Sequence, residues 1–128
     1  VVALSEALET NNTLTSLTLA SNKIGDKGAK TLAALLKKNK VLKGLDMDDN
    51  NISDEGITGI LDAVKENNIV HTLGLRSNRI TEAGAEALAK FIEDCRSIEV
   101  LNLRRNNLQD RGCSMISAAV GKNTTLRE

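Results

Sequence analysis

The sequence repeats itself every 28 residues, with no insertion or deletion between copies. One column of the repeat holds asparagine in every copy, at Asn22, Asn50, Asn78 and Asn106. Glycine and leucine recur at the same interval. A fixed period of about 20–50 residues is typical of solenoids, in which each unit buries its apolar face against its neighbours. The repeat therefore predicts an array of stacked units.

The period divides the chain into four full copies with a partial unit at each end. The copies are predicted to span residues 13–40, 41–68, 69–96 and 97–124 of a single domain, residues 1–128. Residues 1–12 are interpreted as a partial N-terminal helix, and residues 125–128 as the start of a fifth copy. Solenoid ends normally carry polar caps, and none is visible here. We therefore expect a piece of a longer array that self-associates through its uncapped ends.

Each copy is predicted to contain one short strand and one helix. The alternation at Leu17, Thr18 and Leu19 has the period of a strand. Further along the copy, Leu32 and Leu36 recur at helical spacing. Parallel strands stack about 4.8 Å apart, whereas helices approach no closer than about 8–10 Å. The array is therefore expected to curve into an α/β solenoid, with a parallel sheet on its concave face and helices on its convex face.

Polar residues mark both ends of each predicted helix. Ser53 and Thr81 are predicted to be N-caps, and an acidic residue follows in the first turn, where it faces the positive end of the helix dipole. The acidic column contains Asp26, Asp54, Glu82 and Asp110. A second asparagine column falls where the helices should end, and its members are expected to adopt left-handed caps. These residues are Asn11, Asn39, Asn67 and Asn123.

The asparagine column that follows each strand needs its own explanation. A buried amide is costly unless its donors and acceptors are matched. Asn22, Asn50, Asn78 and Asn106 are interpreted as a structural ladder that satisfies the backbone of the turns after the strands. A role in binding a ligand is the alternative interpretation.

These features resemble leucine-rich repeats of the ribonuclease-inhibitor type. The segments LTSLTLASNKIGDKGAKTLAALL and VHTLGLRSNRITEAGAEALAKFI carry the resemblance, together with the repeat length and the G-A-x-x-L-A helix opening. Such arrays occur in NOD-like receptors, in the Ran GTPase-activating protein and in tropomodulin. The resemblance implies a horseshoe-shaped, cytoplasmic domain that binds a protein partner on its concave face.

Charge is unevenly distributed along the predicted concave face. The second copy is acidic there, and the third and fourth copies are basic. The predicted partner-binding residues are Asp46, Asp48, Asp49, Arg76, Asn102, Arg104 and Arg105. A partner of complementary charge would gain association rate and register from this gradient. The alternative is that Asp48 and Arg76 only pair with each other across neighbouring strands.

Composition argues against several other functions. The chain has 17 basic and 17 acidic residues, and Phe91 is its single aromatic residue, so nucleic-acid binding is not expected. No apolar run is long enough to cross a membrane. His71 is expected at the surface and Cys113 in a buried helix position, and neither they nor Cys95 form a catalytic or zinc-binding pattern. We expect no cofactor and no metal.

The favoured function is therefore a non-enzymatic protein–protein interaction scaffold in an intracellular regulatory or ligand-sensing protein. Two alternatives follow from the resemblance. One is a GTPase-activating regulator, and the other is an actin-filament capping module similar to tropomodulin.

Overall fold

The computed structural model describes residues 1–128, in which five helices alternate with four short strands. The strands are β1 (Ser16–Thr18), β2 (Gly44–Asp46), β3 (Thr72–Gly74) and β4 (Val100–Asn102). The helices are α1 (Val2–Thr10), α2 (Gly25–Lys38), α3 (Asp54–Asn67), α4 (Glu82–Asp94) and α5 (Gln109–Lys122).

All four strands belong to one parallel sheet in the order β1-β2-β3-β4. Leu17 pairs with Leu45, Leu45 with Leu73, and Leu73 with Leu101, so every strand pairs in the register of the sequence repeat. Because alternate residues of a strand point to opposite faces, each sequence column lines up on one face of the sheet. The predicted α/β solenoid, with its parallel sheet on the concave face and helices on the convex face, is confirmed.

The core lies between the sheet and the helices and consists almost entirely of aliphatic side chains. Leu45 and Leu73 of the sheet and Leu32 and Ile60 of the helices are all essentially inaccessible to solvent. Phe91, the one aromatic residue, is also buried, with 4% of its surface exposed. Each layer of the stack offers a space of similar width, which explains why residues of similar size recur in each column.

Burial decreases toward both ends of the array. Leu17 and Leu101 are only half-buried, whereas their equivalents in the inner strands are buried. Cys113 was expected to be buried, but it is exposed, although Ala85 in the same column of the preceding helix is buried. The expectation is wrong because no helix of residues 1–128 packs against the outer side of α5.

The asparagines that follow the strands connect each repeat to the one before it. The Oδ1 atom of Asn50 accepts the backbone N–H of Asn22 at 3.0 Å, and its Nδ2 atom donates to the carbonyl of Leu19 at 2.9 Å. Asn78 and Asn106 make equivalent bonds to the turns of the repeats that precede them. These bonds match the donors and acceptors of side chains that would otherwise be costly to bury, and they support the interpretation of a structural ladder.

The prediction of left-handed caps in the second asparagine column is wrong. Asn39 has an extended backbone, with φ −71° and ψ 129°, and its Nδ2 atom donates to the carbonyl of Leu8 at 3.0 Å. Its Oδ1 atom accepts the N–H of Leu42 at 2.8 Å. The side chain thus satisfies a carbonyl at the end of the preceding helix, one of the groups that helix ends leave unpaired. The left-handed cap lies instead at Asn68, after α3, with φ 56°.

Asp26 and Asp54 lie at the starts of α2 and α3, near the positive ends of the helix dipoles. Both also accept hydrogen bonds from the next repeat. Asp26 accepts the N–H and the hydroxyl of Ser53, at 2.8 and 2.6 Å, and Asp54 accepts the same groups of Thr81 at the same distances. Ser53 and Thr81 also accept an N–H of their own helix, which confirms them as N-caps. A β-carbon at Gly56 would lie 2.3 Å from Oδ1 of Asp26, so glycine is what allows this approach. The fourth repeat lacks the link, because Gln109 occupies the Ser/Thr position and Glu82 pairs with Arg111 instead.

Candidate partner-binding surface

The concave face carries the strand residues that alternate with the buried leucines. The column at the end of each strand contains Thr18, Asp46, Gly74 and Asn102. The next outward column contains Ala20, Asp48, Arg76 and Arg104, and it is followed directly by Ser21, Asp49, Ser77 and Arg105. Sheet-like bonds continue into these columns, since the N–H groups of Ser21, Asp49 and Ser77 donate to the next repeat at 2.8–3.0 Å. The repeats therefore remain aligned beyond the strands.

Three carboxylates from the second repeat lie together on this surface, and we call Asp46, Asp48 and Asp49 the acidic group. Each of them accepts a hydrogen bond from the protein itself. Asp46 accepts the N–H of Asp48 at 2.9 Å, and Asp48 accepts the N–H of Arg76 at 2.8 Å. Asp49 accepts the hydroxyl of Ser21 at 2.8 Å. The acidic group therefore holds the turns of the first three repeats together.

The half-buried position of Asp48 changes its titration. Burial is the main cause that raises the pKa of Asp48 above its ordinary value, and the negative charge of Asp46 adds to the rise. The N–H and the charge of Arg76 act in the opposite direction without cancelling it. Asp48 therefore takes up a proton more readily than an isolated aspartate does.

A glycine makes room for the acidic group. A β-carbon at Gly74 would lie 2.9 Å from an Oδ1 atom of both Asp46 and Asp48. A side chain there would displace both carboxylates, so Gly74 supplies the space in which they reach the third repeat.

Three arginines from the third and fourth repeats form the second cluster of the concave face, and we call Arg76, Arg104 and Arg105 the basic group. None of the six ion pairs of the protein includes them. Their hydrogen bonds within the protein use backbone atoms alone. The alternative interpretation, an ion pair between Asp48 and Arg76, does not match the structure, in which Asp48 accepts the backbone N–H of Arg76 and not a guanidinium N–H. Arg76 is half-buried, and Arg104 and Arg105 are exposed.

Asn102 lies beside the basic group but resembles Asp46 in what it does. Its Oδ1 atom accepts the N–H of Arg104 at 3.2 Å, just as Asp46 accepts the N–H of Asp48. The structure brings Asn102 next to the arginines, with its side-chain oxygen directed to its own turn.

The backbone of the outermost column is left-handed in all four repeats. The φ angles of Ser21, Asp49, Ser77 and Arg105 lie between 53° and 59°. This conformation is unfavourable for residues other than glycine, and least so for small polar ones. Arg105 is the one long side chain in the column. The sequence pattern did not predict this left-handed backbone. The only feature of the sequence that marks the column is its position directly before the asparagine ladder.

A shallow cavity of about 410 Å³ lies where the two groups meet. Its lining includes the whole acidic group, Arg76 and Arg105. Asn102, at the end of β4, and Arg104, in the turn that follows it, do not line the cavity. The surface offers charged groups and hydrogen-bond donors, and it contains no cysteine or histidine.

The residues considered for other chemistry lie elsewhere. His71 is exposed, as predicted, and Cys95 is buried. No group of three or more His, Cys, Asp or Glu side chains is arranged to hold a metal ion. No helix combines the length and the apolar character needed to cross a bilayer.

Comparison with protein families gives a direct match. The model of the family described as Leucine Rich repeat matches residues 10–33, 38–61, 66–89 and 94–117. No curated protein matches the chain in sequence.

Two solved structures are similar to this chain in fold. The first is leiomodin-1 actin-binding site 2, with a TM-score of 0.86 and 21% sequence identity, over 95% of this chain and 73% of that chain. The second is the tropomodulin C-terminal domain of Caenorhabditis elegans, with a TM-score of 0.81 and 17% identity, over 97% of this chain and 77% of that chain. At these identities the similarity concerns the fold alone.

Proposed function

This chain belongs to the leucine-rich repeat family, and we propose that it is a non-enzymatic scaffold that binds a protein partner on the concave face of its sheet. The observation that carries the proposal is the basic group, which is presented on an aligned surface without a carboxylate partner from the protein. Charged groups that lack internal partners can give an interface its association rate and its register. We place the scaffold in a cytoplasmic regulatory or ligand-sensing protein.

The rigidity of the surface supports this role. The asparagine ladder and the acidic group hold the turns of neighbouring repeats at hydrogen-bond distance. A preformed surface loses little conformational entropy when a partner binds. The columns of the concave face can therefore act as fixed contact points.

The chemistry of the surface supports binding rather than catalysis. A reaction centre needs a nucleophile or an acid–base pair held in a cleft. The cavity between the two groups is lined by aspartates, arginines, serines and one alanine, and each of its three aspartates already accepts a hydrogen bond from the turns of the protein.

A photo-cross-linking experiment tests the proposal. A photoreactive residue is placed at Thr72, which is exposed on β3, and in a control variant at Glu86, which is exposed on α4. We expect the Thr72 variant to cross-link one protein in cells and the Glu86 variant not to do so. Cross-linking of the same protein from Glu86 alone would place the interface on the helices and refute the proposal.

Actin binding is the second candidate, favoured by the fold similarity to leiomodin-1 actin-binding site 2. Co-sedimentation with filamentous actin and a pointed-end elongation assay test it. Saturable co-sedimentation would identify actin as the concave-face partner if the Thr72 variant also cross-links actin. GTPase activation has no comparable support, and a single-turnover assay with small GTPases is expected to show no acceleration.

Apolar side chains at both ends of the array support self-association as a further property. Val2 and Leu14 are 62% and 37% exposed at one end, and Val120 is 41% exposed at the other. Stacking of two copies would bury these side chains. Light scattering at increasing concentration is expected to show a rising average mass, and a constant monomer mass would contradict this.

A further inference from the structure

We propose that the partner segment is acidic and that it contacts the basic group, while the acidic group serves the turns of the concave face and makes no direct contact. This inference rests on the proposed function and specifies the chemistry of the partner. It also revises the expectation that all the charged residues of the concave face bind the partner.

The first argument is the difference in hydrogen bonding between the two groups. Every carboxylate of the acidic group accepts a donor from the protein. No guanidinium of the basic group has a protein acceptor. A guanidinium carries five N–H donors in a planar fork that matches a carboxylate, often through two parallel bonds. The groups still available for a partner are therefore donors, and they suit a carboxylate.

The second argument is the spacing of the arginines. Arg76 and Arg104 occupy one column on neighbouring repeats, and the N–H of Ser77 donates to the carbonyl of Arg104 at 2.9 Å, which keeps the two turns together. Neighbouring parallel strands lie about 4.8 Å apart, so the two arginine side chains project from adjacent backbone positions and carry like charges. A carboxylate placed between them would replace repulsion with attraction. Arg105 extends the same positive region by one column.

The third argument is the contrast with the convex face. There, six ion pairs join basic and acidic side chains of neighbouring helices. On the concave face no ion pair forms, although Asp48 and Asp49 line the same cavity as Arg76 and Arg105. The acidic group is engaged in its own turns, and the positive charge remains open to a partner.

An acidic peptide fits this surface better than a nucleic acid does. Single-stranded nucleic acids are usually held by aromatic stacking together with positive charge. The only aromatic side chain, Phe91, is buried in α4. The acidic group would also repel a long polyanion that extended beyond the basic group. A short acidic segment can occupy the basic group without reaching those aspartates.

An NMR titration with a short glutamate-rich peptide tests the inference. We expect saturable shifts in the guanidinium and amide signals of Arg76, Arg104 and Arg105, and no comparable shifts with a lysine-rich peptide of equal length. The double variant Arg104→Glu/Arg105→Glu should weaken peptide binding at least about tenfold. The control, Lys27→Glu/Lys90→Glu, makes the same charge change at exposed positions of α2 and α4 and should bind almost as the wild type does. All these substitutions are at exposed positions, and unchanged amide signals elsewhere will verify the fold.

Three results would overturn the inference. The first is an equal loss of binding in both double variants, which would indicate a general charge effect. The second is saturable binding of the lysine-rich peptide at the acidic group. The third is tighter binding of an oligonucleotide than of a glutamate peptide of equal charge. If the photoreactive variant at Thr72 still cross-links a protein in these cases, the proposed scaffold function stands and only the acidic nature of the partner is wrong. If that variant cross-links nothing, the scaffold function itself fails.

Discussion

The acidic and basic groups occupy equivalent columns of neighbouring repeats, yet they relate to the rest of the protein in opposite ways. Asp48 accepts the N–H of Arg76 from the next repeat, whereas the side chain of Arg76 has no equivalent bond to the repeat beyond it. The reason is chemical, because a carboxylate accepts hydrogen bonds and a guanidinium only donates them. On the concave face, where the turns present N–H groups, the aspartates bond within the structure and the three arginines are left for solvent or a partner.

The largest expected effect comes from removing the support beneath both groups. Asn78 accepts the N–H groups of Asn50 and Ile52 and donates to the carbonyl of Met47, and it is buried. Asn78→Ala leaves several buried polar groups unpaired, so we expect the free energy of unfolding to fall by about 2–4 kcal/mol in urea unfolding. Asn22→Ala, at the exposed end of the ladder, is the control and should cost less than about 1 kcal/mol. Equal losses would show that the ladder does not depend on burial.

A comparison of Asp48→Ala with Arg76→Ala tests the two groups directly. Asp48→Ala leaves the N–H of Arg76 without its acceptor, which should lower the free energy of unfolding by about 1–3 kcal/mol. Arg76→Ala removes no side-chain bond within the protein, and we expect a change within about 0.5 kcal/mol. Urea unfolding measures both variants. A greater loss in Arg76→Ala would mean that the basic group is part of the structural framework.

Replacement of Arg105 should separate stability from binding. The backbone of Arg105 is left-handed, with φ 55°, and glycine adopts that conformation without strain. We therefore expect Arg105→Gly to raise the free energy of unfolding by about 0.5–1 kcal/mol while weakening the binding of the glutamate-rich peptide. Thermal unfolding and the peptide titration provide the two measurements. A variant that is less stable and binds equally well would refute the assigned role.

The smallest effect concerns pH. Because the folded-state pKa of Asp48 is raised, ionised Asp48 lowers stability above that pKa, and its protonation relieves this cost as the pH falls toward the ordinary value of 3.8. Asp48→Asn keeps an acceptor for Arg76 without the charge, so its stability should match or slightly exceed that of the wild type at pH 7. The difference should shrink as the pH falls through the raised pKa.

Asp26 provides the internal control for this pH series. Burial raises the pKa of Asp26, but the hydrogen bonds from Ser53 and Gly56 outweigh burial, and the pKa lies below 3.8. Asp26 therefore adds stability above its unfolded pKa, and that contribution is lost as the pH falls through the lowered pKa. NMR titration of the carboxyl carbons should give Asp48 a higher pKa than Asp26. The reverse order would contradict both assignments.

The sequence predicted the array, its register and the members of the concave face, because each depends on a strict repeat. Strand alternation and the repeat period place Leu45 inside and Asp46 outside without knowledge of any long-range contact. The N-caps Ser53 and Thr81 were also predictable, since a cap depends on residues within one turn of its helix.

Other features depend on contacts between residues about one repeat apart. The repeat pattern does not indicate which of the possible partners a side chain contacts. Asp26 reaches Ser53 of the next repeat, and Asn39 reaches Leu8 of the preceding one. Whether Asp48 binds a partner or bonds to the backbone of Arg76 depends on a side-chain rotamer. The exposure of Cys113 depends on which elements pack against α5, and the repeat pattern does not predict that packing.

The central claim is that a protein partner binds the concave face through the basic group. The most direct test is the affinity of the protein cross-linked from Thr72, measured by calorimetry with the wild type and the two double charge variants. The account predicts that Arg104→Glu/Arg105→Glu weakens binding at least about tenfold and that Lys27→Glu/Lys90→Glu leaves it nearly unchanged. Equal affinity for the wild type and Arg104→Glu/Arg105→Glu would contradict it.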